Sequence, residues 1–194
     1  MKVTVVLNPQ EHDELLQIAR DSIDASLHAG HRAQWRERSL DGALREPRAS
    51  FVTLHIEDRL RGCCGSLIAH RPLGEDVWHN ASASAFCDPR FAPLMPHERA
   101  LLQLHLSVLE PPEPMAVTSE RDLLDALRPG VDGLIIELGE HRATFLPDVW
   151  QQLSDPEQFV QQLKMKAGLP REYWSPDMRV SRYRTESFGD NEAV

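Results

Sequence analysis

Two adjacent cysteines between glycines are the first residues in this sequence that could carry chemistry. Residues 60–67 read LRGCCGSL and contain Arg61, Gly62, Cys63, Cys64 and Gly65. A cysteine becomes a nucleophile when its pKa is lowered, and a nearby cation such as Arg61 could lower it. The glycines would let a substrate approach the backbone, or would permit a bulge. Arg61 and Cys63 share a strand face only if no bulge intervenes. Cys63 is therefore a catalytic thiol, a binding residue in a cleft, or a small buried side chain in a hairpin.

A rigid turn supplies the next candidates. Pro89 fixes the backbone between Asp88 and Arg90, so both side chains project from a defined position. Arg90 could bind a carboxylate of a ligand, or it could bond to Asp88 or to a backbone carbonyl. We assign both residues as candidate binding residues and Phe91 to the core.

A predicted hairpin near the middle of the second half carries three more candidates. Glu137 ends the apolar run GLIIE, and Arg142 and Thr144 begin the returning segment RATFLP. Glu137 could act as a general acid or base if it is partly buried. Alternatively it pairs with Arg142 across the hairpin. Arg142 and Thr144 are candidate binding residues.

The histidines and cysteines do not form a metal-binding motif. The chain has nine histidines and three cysteines, without Cys-x-x-Cys or His-x-x-x-His spacing. His55 and His105 fall on predicted strands, at the surface or on a partly buried face. We therefore expect no metal and no cofactor. We also expect reduced thiols, because a disulfide between neighbours such as Cys63 and Cys64 is strained.

Periodicity and turn signals predict the elements that position these residues. Helices are predicted over 11–30, 72–88, 119–130 and 154–168, the last opening with a capping box from Ser154 to Glu157. Strands are predicted over 50–57, 60–69, 102–110 and 178–188, with a hairpin over 131–147 that turns near Gly139. The arginine-rich segment 31–49 is assigned to a surface loop. The order is rich in hairpins and lacks regular βαβ units, which favours the α+β class.

Composition limits the functional classes. The 194 residues carry a net charge of −9 and a pI near 5.4, which argues against a general nucleic-acid binder. A basic cluster late in the chain keeps nucleic-acid association open as an alternative, although a solvated face is favoured: Lys164, Lys166, Arg171, Arg179, Arg182 and Arg184. The opening MKVTVVLNPQ is too short for a signal peptide or membrane span, which predicts a cytoplasmic protein without a membrane partner.

Several separated motifs resemble those of the AMMECR domain family. The matching segments occur in order: LRGCCGSL (60–67), AFCDPRFAPL (85–94), LSVLEPPEPM (106–115), GVDGLIIE (130–137), RATFLPDVW (142–150) and KMKAGLP…YWSPDMRVSRY (164–183). They look closest to the bacterial group called AmmeMemoRadiSam system protein A. Cys64 departs from the aliphatic residue typical of the family, and Cys87 from an acidic or polar one, so Cys63 is the cysteine that matches.

The resemblance implies a fold and partners. The fold would be a two-lobed α+β domain over 10–188, its larger lobe an antiparallel sheet flanked by helices and its smaller lobe a short sheet, with terminal extensions at 1–9 and 189–194. The implied partners are a Memo-like protein and a radical SAM protein, and no settled activity accompanies the family. We favour a partner protein. The alternative is an enzyme that uses Cys63 in a cleft between the lobes on a small polar substrate, and a homodimer stays open.

Overall fold

The structure is a computed structural model that describes residues 6–35 and 39–190. Helices and strands alternate irregularly along these ranges: α1 (Pro9–Ala29), β1 (Ser50–Ile56), β2 (Arg59–Gly65), α2 (Leu73–Phe86), β3 (Gln103–Leu109), β4 (Glu113–Pro114), α3 (Glu120–Ala126), β5 (Gly133–Leu138), β6 (His141–Phe145), α4 (Pro156–Lys166), β7 (Arg179–Tyr183) and β8 (Thr185–Gly189). Short 3-10 helices span Gly42–Arg45, Pro96–Leu101 and Pro147–Gln151. The predicted α+β class is confirmed.

The chain divides into two compact units. The first contains the described residues up to Leu109 together with those from Glu186 onward, and the second contains Glu110–Thr185. Each unit has a four-stranded sheet, in the order β2-β1-β3-β8 in the first and β4-β7-β5-β6 in the second. Strand β1 runs antiparallel to both β2 and β3. In the second sheet, β7 runs antiparallel to β4 and β5, and β5 to β6.

Alternation along the strands explains the core of the first unit. Val52 and Leu54 of β1 are fully buried, whereas Thr53 between them is partly exposed. Leu104 and Leu106 of β3 lie directly opposite Leu54 and Val52, so one face of the sheet is apolar. Helices α1 and α2 contribute to the same core cluster.

Polar contacts fix α2 against the sheet. The buried carboxylate of Asp76 accepts hydrogen bonds from the Ser50 backbone N–H and from the side chains of Ser66 and Asn80. Near the other end of the helix, the Ser84 hydroxyl lies 2.7 Å from the Val52 carbonyl. Because a buried carboxylate needs several donors, this arrangement orients α2 as well as attaching it. The residues that follow α2 are thereby held next to β2.

The second unit packs α3 and α4 with its sheet. The indole of Trp150 stacks on Phe159, with ring centroids 3.8 Å apart. The side chain of Lys164 is fully buried, and its ammonium donates to Glu120 at 2.8 Å. A buried ammonium is tolerated in a protein core when a carboxylate neutralises it.

Several predicted boundaries are confirmed by their capping residues. Gly30 adopts the left-handed conformation that closes α1, and Ser119 caps α3 by accepting from the Asp122 N–H. The hairpin of β5 and β6 turns at Gly139, whose φ is 58°.

Two predictions about elements are wrong. The segment 178–188 is not one strand, because β7 belongs to the second sheet and β8 to the first. A sequence pattern identifies extended residues but not the strands they pair with, so it could not reveal the change of sheet. Helix α4 is capped by Asp155, which accepts from the Gln158 N–H, and not by Ser154.

The predicted loop and extensions fall partly outside the described residues. The structure does not describe residues 36–38 of the loop, or residues 1–5 and 191–194 of the extensions. Elsewhere in the loop, Gly42–Arg45 forms a 3-10 helix that the sequence did not indicate. Leu7 is buried and Asn8 caps α1, and Asp190 accepts from the Leu104 N–H at 2.9 Å.

Candidate functional site

The register of β2 separates the two adjacent cysteines. Cys63 pairs with Thr53 on the partly exposed face of the sheet, whereas Cys64 pairs with Val52 on the face that packs against α2. The Thr53 hydroxyl donates to Cys63 Sγ at 3.3 Å. All three cysteines, Cys87 included, are in the thiol form. Cys63 and Cys64 therefore point to opposite faces of β2.

A bulge changes the position of Arg61. Leu54 pairs with Gly62 and His55 with Leu60, so Arg61 is the extra residue and leaves the strict alternation of the strand. Its guanidinium instead forms a bidentate pair with Glu98, from Nε at 2.7 Å and from Nη2 at 3.0 Å. The Nη1 atom is buried and forms no hydrogen bond within the described ranges.

The carboxylate of Asp88 connects Cys63 with Arg90. The Asp88 side chain is only 3% exposed, and Oδ2 accepts from the Cys63 backbone N–H at 2.9 Å and from Arg90 Nη2 at 2.7 Å. Oδ1 accepts from the backbone N–H and Nε of Arg90, at 3.1 and 3.0 Å. The bonds from Arg90 hold the pKa of this carboxyl well below its usual range, and the bond from Cys63 adds to the effect against burial. The turn at Pro89 thus positions Asp88 and Arg90 as a pair. This agrees with the alternative in which Arg90 bonds to Asp88.

Phe91 lies close to both guanidinium groups. It was predicted to be a core residue, and this prediction is wrong. The Cζ atoms of Arg61 and Arg90 lie 5.9 and 5.5 Å from its ring centroid, within the range of cation–π attraction. The ring is partly exposed. Arg61, Cys63, Asp88, Arg90, Phe91 and Glu98 together form what we name the arginine–thiol cluster, all within the first unit.

Gly62 and Gly65 contribute to packing, because neighbouring atoms occupy the position that a Cβ would take at each of them. A Cβ on Gly62 would lie 2.1 Å from the Ser84 carbonyl oxygen, and one on Gly65 would lie 2.3 Å from the Phe51 ring. The binding role of these two glycines stays a prediction.

The second-unit candidates do not converge on an active site. Arg142 lies opposite Glu137 in the hairpin, with Nε 3.3 Å from Oε1, which is the cross-strand alternative for this pair. Thr144 is buried and bonds to the Leu134 carbonyl and the Tyr183 hydroxyl, both at 2.8 Å. Burial raises the pKa of that tyrosine hydroxyl to about 12. The Thr144 hydroxyl is thus engaged within the second unit, and its binding role stays a prediction.

The sequence did not predict that His55 and His105 would share a pocket. A pocket of 260 Å³ in the first unit is lined by His55, Asp58, Gln103, Leu104, His105, Gly189 and Asp190. Burial lowers the pKa of His55, His105 lowers it further, and Asp58 opposes both effects. The pocket does not include Cys63, although Thr53 lies opposite both Cys63 and His105.

The described residues contain neither a metal-binding group nor a membrane-spanning helix. Over 6–35 and 39–190, no group of three or more His, Cys, Asp or Glu side chains is arranged to hold a metal ion. No helix in the same ranges is long and apolar enough to cross a membrane.

The late basic cluster is not a continuous solvated face, because Lys164 is buried against Glu120 and Lys166 donates to the Thr144 carbonyl.

The Arg61–Glu98 pair gives a pH prediction. Hydrogen bonding from Arg61 lowers the pKa of Glu98 to about 2 from an unfolded value of 4.5. A lowered folded-state pKa stabilises the native state above the unfolded pKa, and this stabilisation disappears as the pH falls through the folded value. The difference in unfolding free energy between wild type and Glu98→Gln should therefore be full at about pH 6 and shrink between pH 4.5 and pH 2. Urea denaturation across this window measures it, and a constant difference would contradict the prediction.

Similarity to known proteins agrees with this architecture. The chain is a two-unit α+β protein, and the AMMECR1 family model matches its residues 16–188. The chain belongs to the AMMECR1 family.

Relatives share nearly the full length. A protein of Methanothermobacter thermautotrophicus is 36% identical over 187 residues, covering 95% of this chain and 97% of its own. Protein MK0488 of Methanopyrus kandleri is 31% identical, and the match covers 96% of this chain and 91% of that protein. The crystal structure of the uncharacterised protein PH0010 from Pyrococcus horikoshii is 32% identical, with a TM-score of 0.82, covering 91% of this chain and 90% of that one.

Proposed function

We propose that this chain is a non-catalytic partner protein that acts with a Memo-like protein and a radical SAM protein, and that the arginine–thiol cluster contributes to the contact surface. The observation that carries the proposal is Arg90, whose side chain is 55% exposed while Asp88 fixes it with two side-chain hydrogen bonds. The resemblance of the motifs to AmmeMemoRadiSam system protein A supports the identity of the partners. The cytoplasm is the compartment we assign to this assembly.

The physical argument is preorganisation. An arginine that is already ordered loses little conformational entropy on binding, and arginine and aromatic side chains are frequent hot spots of interfaces. Phe91 offers an aromatic face beside Arg90. Exposed Met95 precedes the short helix that carries Glu98, and exposed Leu101 is its last residue. A cationic and apolar surface of this kind suits a partner with carboxylates around an apolar patch.

The test measures binding to each purified partner. Arg90→Ala should weaken the affinity about tenfold or more, the effect expected for an interfacial hot spot. Arg121→Ala is the matched control, because Arg121 is 83% exposed and belongs to the second unit. Phe91→Ala leaves the bonds of Asp88 in place and should also weaken binding. Unchanged affinity of both cluster variants, with folding verified by circular dichroism, would exclude this surface.

A second candidate function rests on the environment of Cys63. Its Sγ accepts a hydrogen bond from Thr53. The hydrogen bond to Asp88 is the main cause of the raised pKa of the Arg90 guanidinium, and Cys63 adds a smaller contribution. Such contacts stabilise a thiolate, and an enzyme could use Cys63 as a nucleophile on a small polar substrate.

Alkylation separates the two functions. If Cys63 is an activated nucleophile, iodoacetamide at neutral pH should modify it at least about tenfold faster than Cys87, the exposed thiol of ordinary accessibility. Cys64 should react slowly, since burial raises its pKa. Peptide mass spectrometry over a time course measures all three rates. Labelling of Cys63 no faster than Cys87 would remove the enzymatic candidate and leave the partner proposal intact.

A further inference from the structure

We propose that Cys64 and Cys87 are an oxidative modification site, at which hydrogen peroxide links the two thiols as a disulfide. Cys64 lies on the edge strand β2, and Cys87 follows the last residue of α2. The proposal concerns a different face of β2 from Cys63 and does not depend on the partner function.

Hydrogen bonds bring the two segments together on both sides of the pair. The Cys64 N–H donates to Ser84 Oγ at 2.8 Å, and the Cys63 N–H donates to Asp88 Oδ2 at 2.9 Å. Cys87 lies between Ser84 and Asp88 in sequence, so its backbone is held along β2 at both ends.

Register and spacing place Cys64 and Cys87 on the sides where β2 and the end of α2 face each other. Cys87 follows Ser84 by three residues, which places it on the same side of the helix end as Ser84. Cys64 shares the α2-facing side of the strand with Gly62, where an added Cβ would meet the Ser84 carbonyl at 2.1 Å. The two thiols are also close enough to interact electrostatically, because Cys87 contributes to the raised pKa of Cys64 after burial, Asp88 and Cys63.

Exposure decides the order of the reaction. Cys87 is exposed and Cys64 is partly buried, so the Cys87 thiolate attacks the peroxide first. An S–O bond forms, the O–O bond breaks, and the leaving hydroxide becomes water; Cys87 is then a sulfenic acid. The Cys64 thiolate attacks this sulfur, the S–S bond forms, and the second oxygen leaves as water. Two thiols lose two electrons in total, and one peroxide is reduced to two waters.

The experiment treats the full chain with hydrogen peroxide and then with iodoacetamide. We expect a mass lower by two hydrogens before alkylation, one alkylated thiol at Cys63, and a cross-linked peptide that contains Cys64 and Cys87. Cys64→Ser and Cys87→Ser should each reduce the cross-link to background, whereas Cys63→Ser should leave its yield unchanged. The closure step should accelerate about tenfold per pH unit near neutrality, because only the thiolate of Cys64 reacts and its pKa is raised.

Two results would overturn the proposal. One is a cross-link that contains Cys63 in place of Cys64. The other is oxidation of Cys87 to sulfinic acid in folded protein without any cross-link, which would show that the thiols do not come within bonding distance.

Discussion

Asp88→Asn is expected to lower the free energy of unfolding by about 3 kcal/mol, the loss typical of breaking a buried, hydrogen-bonded ion pair. The carboxylate accepts four hydrogen bonds, from the Cys63 N–H, the Arg90 N–H and two guanidinium nitrogens of Arg90. An asparagine of the same shape has one oxygen, so its amide N–H₂ would face two of these donors. Urea denaturation at neutral pH measures the change.

The control is the same substitution in an exposed ion pair. Asp125 pairs with Arg121 one helical turn away, and the two side chains are 65% and 83% exposed. Asp125→Asn should cost less than about 0.5 kcal/mol, because solvent screens such pairs. Equal losses for Asp88→Asn and Asp125→Asn would show that Asp88 does not organise the cluster.

The chemistry of Asp88 was partly predictable from its sequence context. An aspartate before proline in a turn indicates a fixed backbone, and the two-residue spacing to Arg90 allows a local ion pair. The other partner of Asp88, the Cys63 N–H, comes from an edge strand 25 residues away in sequence. No local pattern contains that information, because it depends on how α2 packs against β2.

The partner of Arg61 illustrates the same limit. Pro96 followed by Glu98 is a recognisable start of a helical turn, and the Glu98 carboxylate does accept from the Met95 N–H. The sequence could therefore have placed Glu98 at a helix start. That the same carboxylate also receives Arg61 follows from the bulge opposite Leu54 and His55, which alternation of apolar residues does not reveal.

The fold was predictable where one local signal determines an element. Gly30 and Gly139 occupy left-handed turns, and Ser119 caps a helix, so each marks a boundary by its own chemistry. The prediction of a single strand over 178–188 failed because a period-two pattern identifies a strand but not its neighbour in the sheet. Tyr183 pairs in one sheet, whereas Ser187 bonds to Ser107 in the other. The partners of a strand are decided by tertiary packing.

Gly62→Ala is expected to cost about 3 kcal/mol or to prevent folding, because it overpacks a contact between two backbones. The new Cβ would lie 2.1 Å from the Ser84 carbonyl oxygen and 3.1 Å from its carbon. Neither the β2 backbone nor the α2 backbone can move away without losing hydrogen bonds. The Cys64 N–H is bonded to Ser84 Oγ, and Asp88 holds the Cys63 N–H, so moving α2 away from β2 would break both bonds. Thermal and urea unfolding of the soluble variant measure the loss.

Gly139→Ala separates steric overlap from backbone strain. Gly139 has a φ of 58°, and no heavy atom lies within 4 Å of the position that an alanine methyl would take, so alanine there meets only the left-handed backbone penalty. That penalty is about 1 kcal/mol. If Gly62→Ala cost no more than Gly139→Ala, α2 would have to be free to shift along β2. Asp88 could then not act as a fixed support for Arg90, and the arginine–thiol cluster would lose the preorganisation on which its proposed binding role depends.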